Sequence, residues 1–379
     1  MLPLDGIVVL DLTRLLPGAA ATACLANFGA EVVKIEQPGT GDYARNMAVE
    51  NGASPIFRRT NLGKKSVAID LKHNGGIDAF LALASTADVL IESFRPGVMD
   101  RLGLGYARLA ALNPRLVYVS LSGYGQTGPY AQVAGHDINY LSLAGVLDLI
   151  GVKGGAPVIP GIQIADLAGG SMQAVIGILL ALAARAQSGR GQMVDVAMLD
   201  GSAALLPIPL AMLETGRAPR RGDDLLNGRY ACYHLYPARD GRWVSVGALE
   251  PKFWASLCRE LGCVELIPDQ FADEPRQSEV KAAIAARLAT RGAEEWFCLL
   301  GAKDCCVTPV RTVEEAVGDP HFRERPTGVI PRLGETPGRA GQEAPRLGEH
   351  TLAILERAGI GRERVEQLLQ EGAIECAGH

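Results

Sequence analysis

The sequence contains no run of like charge and no stripe of basic residues. Its 37 basic and 42 acidic residues are spread along the chain and give a formal net charge of -5. Proteins that bind nucleic acid usually concentrate lysine and arginine on one face or one helix. We therefore expect no nucleic-acid partner for this chain.

Cysteine pairs with the C-x-x-C spacing are also missing. The eight cysteines include no C-x-x-C pair, and most have apolar neighbours, as Cys298 does after Trp296 and Phe297. A structural zinc site needs four closely held ligands, usually supplied by such pairs. The pattern predicts reduced, buried thiols and no metal site.

Signals for secretion and for membrane insertion are weak. The N-terminus lacks both the basic region and the long apolar segment of a secretory signal, so we expect a cytoplasmic protein. Residues 167–184 carry no charge, and their length is roughly the 18 residues at which a membrane helix becomes feasible. Polar residues such as Ser171 and Gln173 interrupt this segment, and no second span resembles it. A helix buried in a large domain is therefore the better interpretation, and we expect no membrane partner.

The chain does contain a regular alternation of β-rich runs and amphipathic segments. Strands are predicted at residues 7–10, 32–35, 67–69, 89–91 and 116–121, with helices near 19–28 and 75–84. Such βαβ units build a parallel sheet. Since 379 residues exceed one ordinary core, we predict an α/β protein with a large Rossmann-like domain and a smaller α+β domain.

The predicted domain boundaries follow changes in composition. Residues 1–200 form the large domain, and residues 201–229, which end in a segment rich in Arg, Pro, Gly and Asp, form a linker. Residues 230–328 form the small domain, with strands at 231–236 and 243–246 and helices at 252–261, 279–290 and 293–300. Residues 329–379, with helices at 351–357 and 362–370, are expected to return to the large domain.

A glycine motif follows the predicted strand at 116–121. Residues 123–128 fit the pattern G-x-G-x-x-G of dinucleotide-binding proteins. That fingerprint belongs to the first βα turn of its domain and places the third glycine in the opening helix. Here the motif lies more than 100 residues into the chain, and Pro129 follows it. A structural turn is the better interpretation, and no nicotinamide cofactor is expected.

Three ionisable residues stand at the starts of predicted helices. His136 is placed where free backbone N–H groups stabilise negative charge, although an isolated histidine there more often satisfies local backbone. Asp166 directly precedes the long apolar segment, so it either caps that helix or takes part in chemistry. Glu250 precedes Pro251, and when this residue is considered in isolation a helix-capping role is the better interpretation.

Several longer stretches match a known family. They are residues 10–14, 28–36, 39–42, 64–66, 70–72, 92–97 and 101–105. A narrower signal comes from the histidine stretch 135–141, from Asp166 and from the Gly-Ala-Leu-Glu-Pro run 247–251. The chain resembles CoA-transferase family III, and within it the branch of the α-methylacyl-CoA racemases.

The resemblance implies roles for the three ionisable residues. His136 and Asp166 correspond to the two acid/base residues on opposite faces of the substrate α-carbon. Glu250 would orient His136 across the interface of an interlocked homodimer. Ordinary transferases of this fold keep the aspartate alone and use it as a nucleophile toward the acyl group.

The resemblance also implies a CoA site, with no cofactor beyond the CoA part of an acyl-CoA substrate. The residues at family contact positions are Gln37, Lys72, Ser93, Phe94, Arg95 and Arg101, together with Gly135, Asp137 and Tyr140 of the histidine stretch. Racemases commonly have arginine where this chain has Gln37. Basic residues suit phosphates. Met198, Met212 and Leu213 are expected to contribute to the acyl pocket.

The predicted function is inversion of the α-carbon of 2-methylacyl-CoA thioesters by two-base proton transfer. A CoA-transferase with Asp166 as nucleophile is the main alternative. A non-catalytic acyl-CoA-binding protein is another, although the three acid/base residues argue against it.

Overall fold

The computed structural model describes residues 1–50, 52–325 and 328–378. In them the chain forms the strands β1 (Val8–Leu12), β2 (Glu31–Glu36), β3 (Lys65–Ile69), β4 (Val89–Glu92), β5 (Val117–Ser122), β6 (Met193–Ala197), β7 (Tyr233–Pro237), β8 (Trp243–Gly247), β9 (Val307–Pro309) and β10 (Ile374–Glu375).

The α-helices are α1 (Leu16–Asn27), α2 (Pro55–Thr60), α3 (Asn74–Ala84), α4 (Val98–Arg101), α5 (Tyr106–Leu112), α6 (Asp137–Leu143), α7 (Gln173–Ser188), α8 (Met198–Ala203), α9 (Pro207–Glu214), α10 (Pro251–Glu260), α11 (Arg276–Leu288), α12 (Ala293–Leu300), α13 (Val313–Gly318), α14 (Pro320–Glu324), α15 (Thr351–Arg357) and α16 (Arg362–Gln370). A π-helix (Ala165–Met172) precedes α7 directly, and short 3-10 turns occupy Tyr43–Asn46, Leu147–Leu149 and Val264–Asp269.

A seven-stranded sheet in the order β10-β3-β2-β1-β4-β5-β6 forms the main framework. β1 pairs in parallel with β2 and with β4, and β10 adds an antiparallel edge to β3. Every residue of β4 and β5 is buried, as expected for central parallel strands, which are usually covered on both faces. The prediction of an α/β fold with a parallel sheet is confirmed.

The edge strands of this sheet were not predicted. β6 is partly exposed along its first three residues and carries Asp195, so it lacks the apolar run of a central strand. β10 is only two residues long. Both positions depend on pairing with strands far away in sequence, and local composition does not record such pairing.

Contacts divide the chain into two compact units. The first comprises Met1–Val146, Pro160–Leu206 and Thr327–His379, and the second comprises Leu147–Ile159 and Pro207–Pro326. The first contains the seven-stranded sheet. The second contains the antiparallel sheet β7-β8-β9 and an apolar core around Trp254. Helix α9 occupies part of the segment 201–229 that was predicted to be a linker.

The chain enters the second unit briefly between α6 and the π-helix. Residues Leu147–Ile159 belong to that unit, although the segments on both sides belong to the first. Arg221 donates hydrogen bonds to Asp148 and to the carbonyl oxygen of Gly155, and Lys153 pairs with Asp223 at 3.0 Å. Sequence composition did not indicate this excursion.

The long apolar segment forms the π-helix and α7, and it is less buried than predicted. Helix Ala165–Ser188 is long and apolar enough to cross a membrane by length and composition, and 33% of its most apolar window is buried. Ala174, Ile178 and Ala181 face the interior, whereas Ile176 and Leu180 are exposed. The expectation of a helix enclosed by its own domain is therefore wrong for the isolated chain, because one face of the helix is uncovered.

Candidate active site

The carboxyl ends of β1, β2 and β3 border a cleft of about 330 Å³, here called the first cleft. Three predicted CoA contacts, Gln37, Lys72 and Phe94, line it. Open α/β sheets bind ligands at this position, outside the carboxyl ends of parallel strands. The structure thus brings these three side chains to a place suited to a ligand.

A second cleft of about 480 Å³ contains most of the predicted catalytic residues. The predicted residues that line it are Ser93, Phe94, Arg95, Gly135, His136, Tyr140, Asp166 and Met198. His136 and Asp166 are 30 positions apart in sequence. Their presence in one cleft is a result of the fold.

Other predicted residues do not line either cleft. Arg101 ends α4 and is exposed, and it is absent from the lining of both clefts. Met212 and Leu213 lie on α9, which belongs to the second unit. Glu250 also belongs to the second unit. Asp137 likewise appears in neither lining, so these five residues lie outside the linings of both clefts.

His136 immediately precedes α6 with an extended backbone. Its backbone N–H donates to the side-chain oxygen of Asn139 at 3.0 Å, which fixes the start of the helix. The side chain is exposed and lines the second cleft. The imidazole is thus accessible to a ligand in that cleft.

Asp166 lies in the first turn of the π-helix and is half-buried. Its backbone N–H donates to Oδ2 of Asp137 at 3.0 Å. In the described part of the chain no donor contacts its own carboxylate, so the structure does not support a capping role. Burial raises the pKa of Asp166 to about 6, the Asp137 carboxylate adds to the rise, and His136 partly offsets it. This carboxyl group can both donate and accept a proton near neutral pH.

Glycines allow the π-helix to lie close to α8. A methyl group on Gly201 would lie 2.0 Å from the carbonyl oxygen of Gly169, and one on Gly169 would lie 2.7 Å from that of Met198. The hydroxyl of Ser171 donates to the carbonyl oxygen of Pro17 at 2.6 Å, which joins the π-helix to α1. π-Helical turns occur frequently at functional sites. Here the π-helix carries Asp166 into the second cleft.

Two tyrosines support the backbone at Gly135. The hydroxyl of Tyr140 donates to the carbonyl oxygen of Gly135 at 2.5 Å, and the rings of Tyr124 and Tyr140 meet edge to face at 5.1 Å. Burial raises the pKa of Tyr140, and Asp166 adds to the rise. A methyl group on Gly135 would lie 2.6 Å from the Tyr124 hydroxyl. Glycine is therefore required beside His136.

The G-x-G-x-x-G motif forms a turn next to this site. Gly125 and Gly128 have φ angles of 85° and 91°, values that glycine adopts readily. The next helix, α6, begins only at Asp137. The motif therefore does not open a helix, as a dinucleotide fingerprint would.

Glu250 directly precedes α10. Its carbonyl oxygen accepts the backbone N–H groups of Phe253 and Trp254 at 3.0 and 3.1 Å. Its side chain makes no capping hydrogen bond and is exposed. The capping role that the sequence favoured for this carboxylate is therefore wrong.

Buried ion pairs lie beneath the first cleft. Lys34 contacts Asp42 at 2.8 Å, and Lys64 contacts Asp11 at 3.2 Å. Burial alone would raise the pKa of Asp11, but Lys34 and Lys64 hold it at about 2. Asp42 also accepts the backbone N–H of Leu15 at 3.0 Å. These charges hold the loop after β1 in a fixed path.

Sequence reasoning missed Arg14 as a site residue. Arg14 and Phe94 line both clefts. Its position directly after the first strand of a parallel sheet is the signal that could have identified it.

In the described ranges no group of three His, Cys, Asp or Glu residues could hold a metal ion.

Comparison with known proteins identifies the family. The sequence model of CoA-transferase family III matches residues 4–351. An α-methylacyl-CoA racemase of Mus musculus is 38% identical over 98% of this chain and 97% of its own length. A succinyl-CoA:glutarate CoA-transferase of Mus musculus is 30% identical over 99% of this chain and 91% of its own length. The chain therefore belongs to CoA-transferase family III.

The fold comparison agrees. The crystal structure of a CAIB/BAIF family protein from Brucella suis superposes with a TM-score of 0.83 at 28% sequence identity, covering 94% of this chain and 99% of that one. The resemblance inferred from the sequence is confirmed at the level of the family and its fold.

Proposed function

We propose that this protein is an α-methylacyl-CoA racemase. The observation that carries the proposal is that His136 and Asp166 line one cleft and that the pKa of Asp166 is about 6. Inversion at an α-carbon needs a base on one face and an acid on the other. A transferase needs the aspartate and makes no demand for the histidine.

In the proposed reaction His136 takes the α-proton of one epimer. The electron pair of the broken C–H bond moves onto the thioester oxygen, which becomes an enolate. Protonated Asp166 then gives its proton to the opposite face of the α-carbon, and the thioester carbonyl forms again. The other epimer uses the same two groups in reverse order, and exchange with solvent restores their starting protonation states.

The enolate oxygen needs hydrogen-bond donors. The backbone N–H of Asp137, at the start of α6, has no acceptor in the described part of the chain. We propose that it binds the thioester oxygen as negative charge develops there. A preorganised donor of this kind typically contributes several kcal/mol to lowering the barrier.

CoA would occupy the first cleft and extend into the second. The proposed contacts are Gln37, Lys72, Ser93, Phe94, Arg95, Arg101, Gly135, Asp137 and Tyr140. Binding energy from the distant nucleotide would position the acyl carbon between His136 and Asp166. The acyl pocket can then remain apolar and permissive, with Met198 on its wall.

We further propose an interlocked homodimer in the cytoplasm. The exposed apolar side chains of Met172, Ile176, Leu179 and Leu180 support an association of copies through the long helix. In that dimer Glu250 of one protomer would reach the site of the other and orient His136. This arrangement would give a function to the carboxylate of Glu250, which is exposed and does not cap α10.

The second candidate is a CoA-transferase. Asp166 would attack the acyl thioester, which forms a mixed anhydride and releases CoA as its thiolate. The thiolate would then attack the aspartyl carbonyl, which releases the donor acid and leaves CoA on Asp166 as a thioester. A second acid would take CoA from Asp166 by the same two steps in reverse. The similarity to the mouse succinyl-CoA:glutarate CoA-transferase favours it. The accessible histidine beside Asp166 is the observation that favours the racemase.

One experiment separates the two candidates. Pure protein is incubated in deuterium oxide with one epimer of a 2-methylacyl-CoA, and deuterium at the α-carbon and the epimer ratio are measured. A racemase incorporates deuterium and approaches an equal ratio of epimers. Parallel reactions with succinate test CoA transfer. Absence of α-exchange together with robust transfer would overturn the racemase proposal and leave the family unchanged.

A further inference from the structure

Arg14 lies where the connection order of the main sheet reverses. β2 and β3 lie on one side of β1, whereas β4, β5 and β6 lie on the other. β1 and β4 end side by side, with Leu12 paired to Glu92. Arg14 follows β1, Ser93 follows β4, and the backbone N–H of Arg14 donates to Oγ of Ser93 at 3.1 Å. Ligands of open α/β sheets bind in the crevice at this switch point.

The guanidinium of Arg14 is held by two aromatic side chains. Its Nη1 donates to the hydroxyl of Tyr43 at 3.0 Å. Its central carbon lies 5.0 Å from the ring centre of Tyr43 and 5.3 Å from that of Phe94. In the described residues no carboxylate pairs with it. Because a guanidinium has five N–H donors, about four remain for a ligand.

The acidic residues nearby are already paired with other cations. Asp42 is in contact with Lys34, and Glu36 binds Arg45 at 2.7 Å. Asp11 is in contact with Lys64. The positive charge of Arg14 is therefore not neutralised by these buried carboxylates.

The backbone after Arg14 is strained and fixed. Leu15 has φ 63° and ψ −147°, a region that residues other than glycine rarely adopt and that persists only where the surroundings enforce it. The buried carboxylate of Asp42 enforces it through the N–H of Leu15. Strain of this kind occurs mainly at ligand-binding and catalytic sites. Arg14 is thus presented to the clefts in a preorganised position.

Arg14 and Phe94 line both clefts, so a molecule that occupies both must pass them. This inference rests on the proposed function, in which an acyl-CoA extends from the first cleft into the second. The diphosphate of CoA joins its nucleotide to its pantetheine arm, so it is the anionic group nearest the middle of the molecule. We propose that Arg14 binds the diphosphate of the CoA substrate at the junction of the two clefts.

The test compares ligands that differ in their phosphates. Affinities of CoA, dephospho-CoA, which lacks the 3′-phosphate, and pantetheine, which lacks the nucleotide and all phosphates, are measured by isothermal titration calorimetry. Arg14→Gln should weaken the binding of CoA and of dephospho-CoA by the same factor, roughly tenfold to a hundredfold, because a charge-assisted contact is lost. Pantetheine should bind as before, and Arg14→Lys should restore part of the affinity.

Arg59→Gln is the matched control. Arg59 is an exposed arginine of α2 outside both clefts, so its loss changes the net charge equally. It should leave all three affinities within about twofold. Melting temperatures of all variants identify any general loss of folding.

Three results would overturn the proposal. Equal weakening of all three ligands by Arg14→Gln would mean that Arg14 only supports Phe94 and Tyr43. Weaker binding of CoA alone would assign Arg14 to the 3′-phosphate. Unchanged binding of all three ligands would show that Arg14 does not contact the substrate. If wild-type protein binds neither CoA nor dephospho-CoA, the proposed function itself fails, and this result is distinct from a defect seen only in the variants.

Discussion

Oδ2 of Asp137 accepts the backbone N–H of Asp166 at 3.0 Å and so joins the start of α6 to the start of the π-helix. The two segments carry His136 and Asp166. The same carboxylate adds a negative charge beside Asp166, which contributes to its raised pKa. Asp137 therefore influences both the position and the protonation of Asp166.

Asp137→Asn should lower the pKa of Asp166 from its value of about 6, because it removes one of the charges that disfavour ionisation. Where Asp166 acts as the base, its ionised form is required, so activity rises as pH increases through this pKa. The acid limb of kcat/KM for that epimer should move to lower pH. Asp78→Asn, which removes an exposed carboxylate of α3, should leave the limb in place. An unchanged or upward-shifted limb in Asp137→Asn would contradict the assignment.

His136→Ala and Asp166→Asn should each reduce epimer interconversion by roughly a hundredfold to ten-thousandfold, the usual effect of removing a general acid or base. Asp166→Asn should retain slow deuterium exchange of the epimer presented to His136. Glu250→Gln should have a milder effect, since we propose that it only orients the histidine. In a transferase, by contrast, His136→Ala would have little effect and hydroxylamine would trap an activated Asp166. Deuterium incorporation from each epimer measures the difference.

Gly201→Ala should destabilise the protein and reduce its activity, because the added methyl group would lie 2.0 Å from the backbone at Gly169. Relief requires a shift of the π-helix that carries Asp166. Overpacking of this kind costs about 1–3 kcal/mol. Gly161→Ala is the control, because a methyl group there meets no atom within 4 Å. Urea unfolding and kcat of both variants provide the comparison, and equal stability of the two would refute the steric argument.

Glu92 should make folding stability depend on pH. It is 4% exposed, and burial raises its pKa from 4.5 to about 7, while its hydrogen bonds to Ser120 and to the backbone N–H of Phe94 partly oppose the rise. The raised pKa favours the protonated form in the folded state. The contribution of Glu92 to the free energy of unfolding is fully present below pH 4.5, and it is lost as pH rises through its folded-state pKa of about 7.

The stability of wild type relative to Glu92→Gln should therefore fall by roughly 3 kcal/mol between pH 4.5 and 8. Urea unfolding at several pH values measures this difference. Glu363→Gln, at an exposed position of α16, should show no such trend. A relative stability that increases with pH would show that burial does not dominate at Glu92.

The central strands and the candidate catalytic residues could be predicted from sequence for different reasons. The buried parallel strands β4 and β5 each begin with three apolar or aromatic residues, so they are visible in the local pattern. His136 and Asp166 were identifiable because their surrounding stretches resemble a family. Neither residue has a local pattern that distinguishes catalysis from helix capping. Only the contacts in the structure excluded a capping role for the side chain of Asp166.

The sequence by itself determined the parallel α/β fold, the family and the residues that carry the candidate chemistry, because apolar periodicity and motif identity are properties of local segments. The tertiary structure decided which of those residues meet. It placed Arg14 beside Ser93. It brought the carboxylate of Asp166, which no donor contacts among the described residues, into the second cleft, and it left Arg101 out of the lining of both clefts. These outcomes depend on strand order, on the close approach of glycine backbones and on burial, which arise only when segments distant in sequence pack together.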